Sequence, residues 1–107
     1  MREIKFRAWV DEQMQKTLTI REIGLLGYEI SDNAILMQYT GLEDKDGVDI
    51  YEGDYLLDGH SGGRGEVKFY KGAFIVEFDN EIQDLYDWTY ECVIGNIYEN
   101  PELLRED

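Results

Sequence analysis

The chain has 107 residues with 24 Asp/Glu against 10 Lys/Arg, a net charge of −14, a single cysteine and a 43% hydrophobic fraction. Length and apolar content suit one domain, residues 1–107, opening on Met1 and expected to be a complete short gene product. One cysteine excludes an intramolecular disulfide, no apolar run approaches a membrane span, and the acidity disfavours ordinary nucleic-acid binding.

The charged N-terminus, Met1 to Arg7, lacks the unbroken apolar stretch of a secretory signal, so a location in the cytosol of whatever cell makes the protein is expected. Charge is unevenly spread. Residues 1–23 carry five Lys/Arg and four Asp/Glu, whereas residues 24–107 carry five and 20. No basic residue lies between Lys71 and Arg105. Such a surface attracts cations or a basic partner, or serves solubility alone.

In chain order, Ile4 to Val10 alternates, with Ile4, Phe6, Ala8 and Val10 on one face and Lys5, Arg7 and Trp9 on the other. Asp11-Glu12-Gln13 reads as a turn. Lys16 to Ile23 is a second strand, with Leu18 and Ile20 on one side, and Tyr28 to Ile30 adds a short piece. Ala34 to Thr40 reads as strand rather than helix, because Gly41 follows closely and Tyr39 and Thr40 favour strands. Leu42 to Gly53 reads as a polar connection around the turn dipeptide Asp46-Gly47, and Tyr55-Leu56-Leu57 resumes the sheet. Gly59 to Gly65 is a glycine-rich hairpin loop. Glu66–Tyr70 and Ala73–Phe78 form the clearest hairpin, turning at Lys71-Gly72. Residues 82–90 fit helix or strand. Gly95-Asn96 looks like a turn, and Asn100-Pro101-Glu102 starts a short helix. The fold class is therefore all-β with one or two short helices, a small barrel or sandwich, SH3-like in the region 51–78.

Cys92 lies in an apolar run with acidic neighbours and reads as a buried structural thiol. The acidic loop Asp44 to Asp49 fails as an EF-hand. With Gly47 at the sixth position, Leu42 and Gly53 occupy the first and twelfth, where ligands are required, so a solvated turn is expected. The Gly59–Gly65 loop lacks a P-loop ending, and His60, the only histidine, suits no common zinc pattern and is assigned to an exposed loop. Glu52, Asp54 and Asp49 could share acid and base roles, with turn-amide bonding the blander alternative. Trp9 could anchor a partner or cover a second small cluster.

Three blocks carry a family resemblance. They are Arg2-Glu3-Ile4-Lys5-Phe6-Arg7-Ala8-Trp9; Met37 to Gly47 continuing to Ile50-Tyr51-Glu52-Gly53-Asp54; and Val93-Ile94-Gly95-Asn96-Ile97-Tyr98-Glu99-Asn100-Pro101-Glu102-Leu103-Leu104. Together they resemble the YopX-like family of phage and prophage proteins. Residues 13–33 and 80–91 are the least familiar parts. The resemblance implies a phage or prophage origin, a β-rich fold and a host-cytoplasmic location, and it carries over no reaction, cofactor or catalytic residue. If the middle block folds back on the last, Tyr51 and Tyr98 should pack together.

The first functional expectation is a non-enzymatic module that binds a host or phage protein, or itself as a homo-oligomer. It would do so through a surface including Trp9, Tyr51, Glu52 and Asp54, with no cofactor, metal, membrane or direct nucleic-acid partner. The alternatives are an acidic DNA mimic that inhibits a host nucleic-acid-binding enzyme and a metal-assisted hydrolase using Glu52, Asp54 or Asp49.

Overall fold

Three two-residue turns set the hairpins. Asp11 and Glu12 (φ 52° and 63°), Lys71 and Gly72 (50° and 85°), and Asp79 and Asn80 (52° and 64°) all have positive φ at both central positions. That geometry matches the right-handed twist of the strands it joins. In the computed structural model, which describes residues 3–19 and 34–104, these turns link β1 (Lys5–Val10) to β2 (Gln13–Thr19), β6 (Arg64–Tyr70) to β7 (Ala73–Phe78), and β7 to β8 (Glu81–Asp84). The other strands are β3 (Ile35–Glu43), β4 (Asp49–Tyr51), β5 (Asp54–Leu57) and β9 (Val93–Asn96). Short 3₁₀ turns cover Leu85–Trp88 and Pro101–Leu104. The expected strand end at Ile20–Ile23 and the piece at Tyr28–Ile30 lie outside the described residues.

The strands form two antiparallel sheets, in the orders β2-β1-β3-β4 and β8-β7-β6-β5-β9. In the second, four consecutive strands meander and the fifth returns to pair with the first after a 3₁₀ turn. This is the strand order of an SH3-like barrel, curled here into a half-barrel. The SH3-like part therefore runs from 54 to 96, wider than the 51–78 read from sequence.

The main core lies inside this half-barrel. Ile50, Leu56, Val67, Val76, Leu85 and Trp88 are buried together, flanked by Leu42, Phe74, Phe78 and Val93. Burial of such side chains contributes roughly 1.5–3 kcal/mol each. The alternation Val67/Phe69 against Phe74/Val76/Phe78 holds, with Val67 opposite Val76 and Phe69 opposite Phe74.

Several readings are corrected. The strand expected to stop before Gly41 continues to Glu43, because Gly41 (φ 89°) supplies a left-handed residue where the β3–β4 register shifts. The stretch read as a polar connection contains β4, whose Ile50 is fully buried. Gly95-Asn96 closes β9 instead of turning the chain; the turn follows it. Residues 82–90 divide, with Ile82 in β8 and 85–88 in a 3₁₀ turn whose N-cap Asp84 accepts from the Tyr86 amide. Cys92 is half-buried instead of buried, its thiol donating to Asp46 (3.3 Å); that bond and burial push the thiol up from its ordinary range.

The Asp44 loop is a turn, but its carboxylate is not solvated. Asp44 is buried and accepts from Asp46 N (2.8 Å), Val48 N (2.9 Å) and Val93 N (2.9 Å), tying the loop to β9. Burial alone would raise its carboxyl, but these three amides outweigh it and hold the group below the usual aspartate range. A carboxyl lowered on folding stabilises above its unfolded pKa of about 3.9, and the contribution is lost as pH falls through the folded value. Wild type and Asp44→Asn should therefore differ most near neutrality and converge on acidification. Urea midpoints measured from about pH 7 to about pH 2.5 check this, and a constant gap would contradict it.

Candidate functional site

The odd-numbered face of β1, which reads as polar, is turned into the protein. Lys5 reaches β4, Arg7 reaches the β4–β5 turn, and Trp9 reaches the segment after β9. Arg7 is the centre of this junction. Its Nη2 lies 2.7 Å from Asp54 Oδ1 and donates to the Glu52 carbonyl (3.1 Å), while its Nε contacts Met37 Sδ (3.4 Å). The guanidinium also sits 4.8 Å from the centroid of the Tyr51 ring. A buried guanidinium is stable only when paired and hydrogen-bonded, and here both conditions are met.

The turn that holds Asp54 is fixed by its own carboxylates. Asp54 Oδ2 accepts from Tyr51 N (2.8 Å), and Glu52 Oε1 accepts from Gln38 N (2.8 Å). Lys5 pairs with Asp49 (2.7 Å) and lies 4.6 Å from the Tyr39 ring centroid. The Asp49 bond keeps the Lys5 ammonium charged well above the ordinary lysine range. Burial, with Asp49 nearby, pushes the Tyr39 hydroxyl up.

Beside the junction is a cleft of about 360 Å³, lined by Arg7, Asp49, Tyr51, Asp54, Asn96 and Glu99 among others. Asn96 closes its far wall, accepting from Tyr98 N (3.0 Å) and Glu99 N (2.8 Å) and donating to Glu99 Oε1 (2.7 Å). The polar groups around the cleft thus serve the protein's own backbone and cations. Among the described residues no cluster of His, Cys, Asp and Glu could hold a metal ion.

Of the four residues nominated for partner binding, Tyr51 and Asp54 line the cleft, Glu52 accepts from Gln38 N, and Trp9 lies further along β1 against Tyr98. Tyr51 and Asp54 are buried; Trp9 and Glu52 are half-buried. Trp9 stacks on Tyr98 at 5.9 Å. Tyr51 packs on Tyr39 at 5.6 Å. The folding back itself is present: Asp54 pairs with Asn96, and Ile97 N donates to Gly53 O (2.9 Å). His60 is exposed in the β5–β6 loop, where its amide and the Ser61 hydroxyl both donate to Asp58. Sequence reading missed Arg7 and Asn96. The available signal for Arg7 was its place between Lys5 and Trp9 on one strand face.

The family profile described as YopX protein matches residues 11–105. The chain belongs to the YopX family. Two solved structures are similar over nearly all of both chains. Protein EF1440 from Enterococcus faecalis has 26% identity and a TM-score of 0.64, covering 98% of this chain and 100% of its own. Protein yopX from Bacillus subtilis has 22% identity and a TM-score of 0.61, covering 100% and 99%, and at that identity supports the fold alone. No curated protein matches. The three YopX-like blocks of sequence meet at the junction: Arg7 comes from the first, Tyr51 and Asp54 from the second, Asn96 from the third. In this YopX-family chain the resemblance therefore marks how the two sheets are joined.

Proposed function

We propose that this YopX-family chain is a non-enzymatic protein-binding module, of phage or prophage origin, acting in the cytoplasm of a bacterial host. One observation carries the reading. From Gly72 to Leu104 the chain has eight Asp/Glu and no Lys, Arg or His. Within that stretch Ile82, Tyr86 and Tyr90 are exposed, each next in the chain to an Asp or Glu. Apolar anchors rimmed by polar groups mark interaction surfaces. The hydrolase alternative loses its free carboxylates, since Asp49, Glu52 and Asp54 are each engaged by a cation or a backbone amide.

Affinity capture from bacterial lysate at moderate salt tests the reading. One specific protein should be retained, and repeated recovery of none would overturn it. Duplex DNA added to the washed complex distinguishes the acidic-decoy alternative, which requires that DNA compete for the same cleft of the partner. Sedimentation velocity reports the self-association alternative in the same preparation.

A further inference from the structure

A second concavity lies between β3, the β6–β7 end and the 3₁₀ turn at Leu85–Trp88. It is an open groove of about 520 Å³, lined by Leu42 of β3, Phe69 and Phe74 at the β6–β7 end, Asp84, and Leu85 and Tyr86 of the 3₁₀ turn, among others. Its apolar lining includes Leu85 of the core and Leu42, which packs against that core, beside the polar Gln38 and Thr40 of β3. Its walls are unusual for surface side chains. Phe69 is 53% exposed and Tyr86 62% exposed. Phe69 is held edge-on to Phe74 at 5.0 Å across the hairpin, so its orientation is fixed without its being covered.

Asp84 is the one charged side chain that lines the groove among the described residues, and Asp87 follows the lining residue Tyr86. Lys68, next in the chain to Phe69, belongs to the opposite face of β6 and pairs with Glu77 (2.6 Å). Lys71, in the adjoining turn, sits over the Tyr70 ring at 5.4 Å. Tyr70 belongs to the opposite face of β6 from Phe69, so that cation is directed away. Asp84 Oδ1 accepts from Tyr86 N (3.0 Å), which fixes the carboxylate at the groove while leaving the side chain exposed.

Aromatic walls, apolar lining residues and a fixed carboxylate are what a cationic side chain with a long apolar stem requires. Guanidinium groups stack on aromatic faces and pair with carboxylates, and their stems cover apolar surface. A second copy of this chain fits poorly, because it would bring a net charge of −14 against the same acidic surface. We propose that this groove docks an arginine-bearing, basic segment of a protein partner, with the guanidinium between the Phe69 and Tyr86 rings and paired to Asp84. This rests on the protein-binding reading and adds the surface and the chemistry of the partner.

The test is titration of the isotopically labelled full chain with an oligoarginine peptide, followed by amide chemical shifts. Shifts should concentrate at residues 69–74 and 84–86 and at Leu42. Tyr86→Ala and Asp84→Asn should each weaken binding roughly three- to fivefold. Asp11→Asn, which removes one charge on the β1–β2 turn, should change it little. Asn tolerates the left-handed backbone there, and Asp84→Asn keeps the amide-accepting oxygen, so both variants should fold. Shifts spread over the whole acidic surface, with Asp11→Asn weakening binding as much as Asp84→Asn, would overturn the proposal in favour of diffuse attraction. Concentration-dependent shifts at the groove without peptide would overturn it in favour of self-association, and absence of any shift would overturn it outright. A captured partner that Tyr86→Ala retains fully would sink the groove while leaving the protein-binding reading intact; failure to capture any partner would instead sink that reading.

Discussion

Asp54→Ala should destabilise the protein by about 3–5 kcal/mol, the cost of leaving one member of a buried ion pair alone. The expectation follows from burial on both sides. The Arg7 side chain is 7% exposed and the Asp54 side chain 2%, so water cannot replace the missing carboxylate without entering the junction. The loss is compounded because Asp54 Oδ2 also accepts from the Tyr51 amide, which would lose that acceptor. Against a typical total of about 5–15 kcal/mol, this is a large fraction of the stability of a domain this size. Asp54→Asn keeps the shape and an acceptor, and should cost less. Arg7→Met removes the cation but leaves the Asp54 carboxylate buried, so it too should be severe. The Arg7→Met/Asp54→Ala double variant should lose much less than the sum of the two single losses, since the second change removes a charge the first has stranded. Urea unfolding of all four variants measures the coupling. A loss below about 1 kcal/mol for Asp54→Ala would mean that the pair behaves as a solvent-screened surface bridge.

The same ion pair shows where sequence reading reaches its limit. Alternation placed Lys5, Arg7 and Trp9 on one face of β1 correctly, but nothing within β1 says whether that face meets water or protein. Arg7 is buried because a carboxylate 47 residues later in the chain arrives beside it. A tertiary partner of this kind leaves no local periodicity. The β6–β7 hairpin was legible for the opposite reason: its strands and turn are contiguous, and Lys71-Gly72 supplies the two left-handed residues such a turn demands. The next hairpin turns on Asp79-Asn80 with the same geometry, yet passed unread because neither residue is glycine; both are types that tolerate positive φ. β4 was missed because three residues are too few to show alternation, even though Ile50 is at the centre of the core. Of the candidate site, the sequence nominated Trp9, Tyr51, Glu52 and Asp54 as a partner-binding surface, and Tyr51 and Asp54 are buried. It could not assign that burial, and the groove beside the 3₁₀ turn arises only when β3, β7 and that turn come together.

Trp88→Ala should cost about 3–5 kcal/mol, as removal of a large buried aromatic from a closed core does. Trp88 is 6% exposed, meets Phe78 edge-on at 5.2 Å, and donates its indole N–H to Gln83 Oε1 (2.8 Å). It covers the half-barrel at Gly65, where the backbone of β6 approaches closely. A Cβ added at Gly65 would run into Val76 Cγ1 and come within 3.1 Å of Trp88 Cη2. The indole and the missing side chain thus occupy one volume, and Gly65→Ala should be destabilising by about 1–3 kcal/mol through overpacking. This can be separated from an unrelated backbone effect. Val76→Ala removes the methyl group that the new Cβ strikes, at the cost of a cavity. In the Gly65→Ala/Val76→Ala double variant the added methyl enters that cavity, so the combined loss should fall short of the sum by about 0.5 kcal/mol or more. Urea unfolding monitored by far-ultraviolet circular dichroism, which does not depend on the tryptophans, gives the three differences. Strict additivity would show that Gly65 is required for its conformation or its strand pairing, and that close packing over Val76 and Trp88 has no part in the choice of residue there.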